Sequence, residues 1–113
     1  MNTKTIIKTE RIRELNDALR RTFTGGKVVM TASVQSLPAD TVARALSKMR
    51  TFNEFTADND PYGEHDMAIY TVNGEEFRWK IDYYNTTLDA GSEDPSNPAD
   101  TTRVLTLMLA SDY

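Results

Sequence analysis

The chain has 113 residues, 39% of them hydrophobic and 27% charged, with no cysteine and a formal net charge of −4. That length holds one domain with a real core, in a composition that is globular rather than disordered. Disulfides, thiol nucleophiles and Cys-ligated zinc are excluded, and no apolar run approaches the roughly 18 residues of a membrane-crossing helix.

Residues 1–5 are expected to be flexible, and 1–113 to form a single domain. Ile12, Leu15, Leu19 and Phe23 recur at three- to four-residue spacing, which predicts an amphipathic helix over about 6–22. Gly25-Gly26 should end it, since glycine enters the left-handed region without strain. Residues 1–27 carry net +4 and the remainder net −8. The i, i+4 spacing of Arg13 and Asp17 reads as a solvated helix face. The overall acidity argues against direct nucleic-acid binding, which needs concentrated positive charge.

Residues 27–34 read as a β-branched strand, and Ser36-Leu37-Pro38 as the start of a second helix with Ser36 capping it. Val42, Leu46 and Met49, with Ala45, are expected to be the inward stripe of that helix. Residues 67–72 and 75–84 flank Asn73-Gly74, a strong two-residue hairpin signal. In the second of these strands Phe77, Trp79, Ile81 and Tyr83 should face the core and Arg78, Lys80 and Asp82 the other side. Residues 85–100 form a long polar loop. The apolar run 103–110 fits a buried strand better than a buried helix. The expected fold class is α+β: two helices packed on an antiparallel sheet of three to four strands that includes the Asn73-Gly74 hairpin.

Asp58-Asn59-Asp60-Pro61-Tyr62-Gly63-Glu64-His65-Asp66 gathers four carboxylates and the only histidine into one turn-rich stretch. Folding alone does not ask for such repulsion, and loops held by rigid elements are where binding residues collect. The candidate binding residues are Asp58, Asp60, Tyr62, Glu64, His65 and Asp66, joined by Asp82 and by Tyr84 as a surface aromatic. The cluster is expected to face outward at the sheet edge, although a purely structural network fastened by Arg78, Lys80 or Arg103 is an equal reading.

A calcium-binding loop counted from Asp58 fails, because Tyr62 stands at the fifth position and Ile69 where a bidentate glutamate is needed. A facial-triad metal site needs a second histidine. Thr24-Gly25-Gly26-Lys27 lacks phosphate-loop spacing and leads into a strand. No catalytic residue, metal or cofactor is therefore assigned. An acid–base or metal-dependent hydrolytic centre on His65 and its neighbouring carboxylates is the alternative to a binding role.

Three linked motifs, Asn59 to Asp66, Trp79 to Tyr84 and Arg103 to Ala110, resemble a bacterial family catalogued only as a domain of unknown function. The resemblance runs from Leu15 to Tyr113. That family is frequent on plasmids, phages and integrated elements of alphaproteobacteria, which implies a cytoplasmic accessory protein of mobile DNA. It brings no assigned activity, cofactor or catalytic residue. Such proteins often block host machinery, so the implied function is non-enzymatic binding to a protein partner. The partner would be a nucleic-acid-handling host defence complex of the restriction or CRISPR kind, with no membrane involved.

Overall fold

The computed structural model describes residues 3–113. The chain runs α1 (Thr3–Thr22), β1 (Lys27–Met30), α2 (Ala32–Gln35), α3 (Ala39–Thr51), β2 (Met67–Val72), β3 (Glu75–Tyr84), β4 (Thr102–Leu109) and a 3₁₀ turn (Ala110–Asp112). Of the start expected to be flexible, residues 1–2 lie outside the described residues and α1 already begins at Thr3. The four strands make one sheet in the order β1-β4-β3-β2, and the fold is α+β. The sheet is mixed rather than wholly antiparallel: β1 runs parallel to β4, while β4–β3 and β3–β2 are antiparallel.

The hairpin forms at Asn73-Gly74, both residues at positive φ (51° and 81°), the conformation a two-residue turn between twisted strands requires. Its register is the expected one. Phe77, Trp79 and Ile81 are buried and Tyr83 is half-buried beside them. Residues 103–110 are strand up to Leu109; Arg103, Leu105 and Leu107 share the inner face with β3, directly opposite Tyr83, Ile81 and Trp79.

Helix α1 closes one residue before a left-handed Phe23 (φ 58°), so the glycines follow the helix end rather than make it. Gly26 has a different task. A Cβ there would stand 2.6 Å from the Arg103 carbonyl oxygen, so glycine is what lets the chain approach β4 and begin the parallel pairing.

The strand expected over 27–34 stops at Met30, and Ala32–Gln35 coil into α2. The polar residues there find better partners in a turn. Asp112 Oδ2 accepts from the Thr31 and Ser33 hydroxyls at 2.9 and 2.5 Å, and Gln35 Nε2 donates to the Met30 carbonyl at 2.8 Å. Ser36 does not cap α3. Its hydroxyl closes α2 by donating to Ser33, and Pro38 is the residue that precedes the first turn of α3. The inward face of α3 is Thr41, Ala45 and Met49; Val42 and Leu46 are only half-buried, on its shoulder.

Leu19, Val34, Met49, Phe77, Trp79, Leu105 and Leu107 are fully buried between the helices and the inner sheet face. The 85–100 loop is ordered by local polar turns. Asp94 accepts from the Ser96 amide and hydroxyl, Asn97 from the Ala99 amide, and Tyr84 bridges Gly91.

Candidate functional site

The loop between α3 and β2 is shaped from within by short polar side chains. Asn59 Oδ1 accepts the Thr56 amide at 2.7 Å and its Nδ2 donates to the Glu54 carbonyl at 2.9 Å. The Asp60 amide then donates to Thr56 O, and the Gly63 amide to Asp60 O. These consecutive turns carry Asp58, Asn59, Pro61 and Tyr62 to the surface, with Tyr62 78% exposed at the tip.

Helix α1 grips the same loop from outside. Arg13 Nη1 donates to the Gly63 carbonyl at 3.1 Å and Asn16 Nδ2 to the Glu64 carbonyl at 3.0 Å. Asp17 lies 3.0 Å from His65 Nδ1, and because a carboxylate only accepts, Nδ1 carries the proton. Asp17 also pairs with Arg20 at 2.9 Å. His65 sits at φ 54°, a left-handed conformation that suits few side chains; its ring stacks on Phe55 at 3.8 Å. Its amide donates to the Asp60 carboxylate at 3.2 Å, and its Nε2 faces Asp60 Oδ2 at 3.7 Å.

Beneath the loop lies a buried polar chain. Arg103 Nε donates to Asn16 Oδ1 at 2.8 Å, Asn16 Nδ2 donates to the Tyr83 hydroxyl at 2.8 Å, and that hydroxyl donates to Glu64 Oε1 at 2.7 Å. Arg103 also donates to the Pro95 carbonyl, tying the second polar loop into the same chain. Burial lowers the Arg103 pKa and raises that of Tyr83, with the adjacent Glu64 adding to the latter. Arg20 is buried as well, its pKa lowered by burial; it donates to the Met49 and Phe52 carbonyls at 3.0 and 2.7 Å and lies against the Phe55 and Trp79 rings.

The expected outward-facing acidic cluster is therefore divided. Asp58 and Tyr62 are exposed at the tip, while Asp60 is only 8% exposed and spent on the His65 amide. Glu64 is turned toward Tyr83. Asp66 is half-buried; burial raises its pKa, and the carboxylates of Glu64, Asp60 and Asp82 push the same way. Asp82 stands on the outer sheet face against Lys80. Tyr84 is half-buried where β3 meets the 85–100 loop and belongs to that loop rather than to the tip. Carboxylates placed inward need partners: Asp60 finds His65 within the loop itself, and Glu64 finds the Tyr83 hydroxyl on β3.

Arg13, Asn16, Asp17, Arg20 and Phe55 are not among the expected site residues. The solvated face expected of Arg13 and Asp17 is instead the grip on the loop. One signal was available: Asn16 and Arg20 fall between Ile12, Leu19 and Phe23 on the apolar stripe, and polar residues on a core-facing stripe need buried partners.

Among the described residues no three His, Asp or Glu side chains are arranged to hold a metal ion, and no helix is long and apolar enough to cross a membrane. No curated protein and no solved structure matches the chain. A family model described as a protein of unknown function, DUF3768, matches residues 30–112, the segment from the end of β1 to the 3₁₀ turn. The chain belongs to the DUF3768 family.

Proposed function

We propose that this protein works by non-enzymatic binding, engaging a protein partner through the Asp58–Tyr62 tip of the fastened loop. The carrying observation is the pairing of a 78% exposed tyrosine with a loop whose backbone is already held at Thr56, Asp60, Gly63 and Glu64. An aromatic anchor on a preorganised loop binds with little ordering cost, which is what a recognition surface requires. The flanking Asp58 favours a positively charged partner. The motif resemblance read from the sequence implies an accessory protein of mobile DNA, and the partner class we propose on that ground is a nucleic-acid-handling host defence complex in the cytoplasm; the matching family itself carries no assigned function.

The acid–base alternative on His65 has less support, because its Nδ1 is taken by Asp17 and its Nε2 faces Asp60. The test is protection of an incoming phage or plasmid in hosts carrying restriction or CRISPR systems. Wild type should protect in at least one such host, and Tyr62→Ser with Asp58→Lys should abolish protection while circular dichroism stays unchanged. Protection by the tip variant equal to wild type would defeat the assignment of the tip, and no protection in any host would defeat the defence-inhibitor reading.

A further inference from the structure

Helix α3 carries more apolar surface than the core uses. Its shoulder residues Val42 and Leu46 are half-buried, and Ala39 and Ala43 are exposed beside them. Together with Phe23 after α1 and with Met30 and Leu37, they floor a groove that runs along the outside of α3. The groove comprises two contiguous sections of about 530 and 430 Å³ that share Ala43 and Leu46. Alanines on an exposed ridge let another backbone come close, and α3 at 13 residues offers roughly 20 Å of length, about three and a half helical turns.

The charge on the groove is one-sided. Arg21 and Arg50 stand on its rim, and neither section is lined by any aspartate or glutamate, in a chain whose net charge is −4. Among the described residues neither guanidinium has a carboxylate within ion-pair distance. Arg50 is also preset: its Nε donates to the Arg21 carbonyl at 3.1 Å and its guanidinium lies 5.2 Å over the Phe23 ring. An apolar floor beside a fixed cationic rim is complementary to one kind of occupant.

We infer that this groove docks an amphipathic helix of a partner protein whose apolar stripe is flanked by carboxylates. The stripe packs on Leu46, Val42 and Phe23 in the i, i+3, i+4, i+7 manner of helix-in-groove recognition, and the acids meet Arg21 and Arg50. On α1 the rim residue Arg21 lies eight residues from Arg13, which holds Gly63 beside the loop tip, a separation of about 12 Å along the helix. It stands independently of the role proposed for Tyr62.

The experiment uses the full chain, ¹⁵N-labelled, titrated with two synthetic helical peptides of about 15 residues that share one leucine stripe and differ only in Glu or Lys flanks. The Glu peptide should shift amides at 21–23 and 39–50 and bind roughly tenfold or more tighter than the Lys peptide. Arg21→Glu with Arg50→Glu should invert that preference, and Ala43→Lys, on an exposed helical position, should weaken both peptides without altering the fold. Equal binding of the two peptides, or shifts confined to the tip or the outer sheet face, would overturn the inference. So would concentration-dependent shifts at 39–50 without peptide, because the occupant would then be a second copy of the chain.

Discussion

Asp17 and His65 meet at 3.0 Å across 48 residues of sequence, and this contact joins α1 to the acidic loop. The same aspartate holds the buried Arg20, so one carboxylate serves two partners on two structural layers. Arg13, Asn16 and Asp17, the three α1 residues that grip the loop, all precede residue 30, where the family match begins. The loop's own turns lie inside the matched segment; the clamp that holds them lies outside it.

Asp17→Ala should therefore destabilise the protein well beyond the usual surface substitution. It leaves a buried Arg20 guanidinium without its carboxylate and frees the His65 ring together. Breaking a buried ion pair by removing one partner costs about 3–5 kcal/mol, and the carbonyls that Arg20 keeps should hold this case near 2–3 kcal/mol. Urea unfolding measures it. A loss below that of Arg13→Ala, whose single bond to a loop carbonyl is worth about 1 kcal/mol, would show that the pair carries no stability.

The buried chain Arg103–Asn16–Tyr83–Glu64 predicts strong coupling. Asn16→Ala leaves the Arg103 Nε without its acceptor and takes away the donors to the Tyr83 hydroxyl and the Glu64 carbonyl, for a loss of about 2–3 kcal/mol. Tyr83→Phe removes the bonds to Asn16 and Glu64 but keeps the ring under Arg103, and should cost about 1 kcal/mol. The double variant should be less destabilised than the two losses added together, by about 0.5 kcal/mol or more. Strict additivity in this double-mutant cycle would mean that Asn16 and Tyr83 act separately.

Asp66 runs against the usual behaviour of a carboxylate. Its folded-state pKa is raised, by burial first and then by neighbouring acids, above the unfolded value of about 3.9. Between those two values the folded state binds more protons than the unfolded one, so this group's contribution to stability falls as pH rises through that window. At neutral pH the charge is a net liability. Asp66→Asn should raise Tm by roughly a few degrees at pH 7. The gain should shrink toward zero as the pH is lowered past the unfolded value. Thermal melts at pH 3 and pH 7 check the sign, and a destabilised Asn variant at pH 7 would reverse it.

Much of the fold could be read because local chemistry and tertiary placement agree. Asn73-Gly74 dictates its turn whatever surrounds it, and the alternation Phe77-Trp79-Ile81 leaves a single register that buries the large rings. Three features depended on distant partners instead. Thr31 and Ser33 leave the strand because Asp112, some 80 residues on, accepts their hydroxyls. Val42 and Leu46 are rotated to the shoulder because Tyr70 fills the inward side, its hydroxyl donating to the Ala45 carbonyl at 2.7 Å. Asp60 turns inward to the amide of the left-handed His65, and Glu64 to the Tyr83 hydroxyl of β3. A run of acids around one histidine carries no mark that Glu64 will meet a hydroxyl 19 residues away or that His65 will meet a carboxylate 48 residues away.

The two glycines after α1 should separate conformational strain from steric clash. Gly25 has φ 90° and open space around a notional Cβ, so Gly25→Ala meets only the left-handed penalty, about 1–2 kcal/mol. At Gly26 the obstacle is backbone: the Arg103 carbonyl oxygen 2.6 Å away belongs to β4 and cannot rotate aside as a side-chain end would. Gly26→Ala must push β1 from β4 and disturb the pairing of Lys27 with Val104, along with the Arg103 guanidinium that anchors Asn16. A loss of about 2–3 kcal/mol is expected, with hydrogen exchange accelerated along β1 and at Asn16. If Gly26→Ala proves no worse than Gly25→Ala and β1 stays protected, the close approach of the two chains is not what fixes the parallel edge of this sheet.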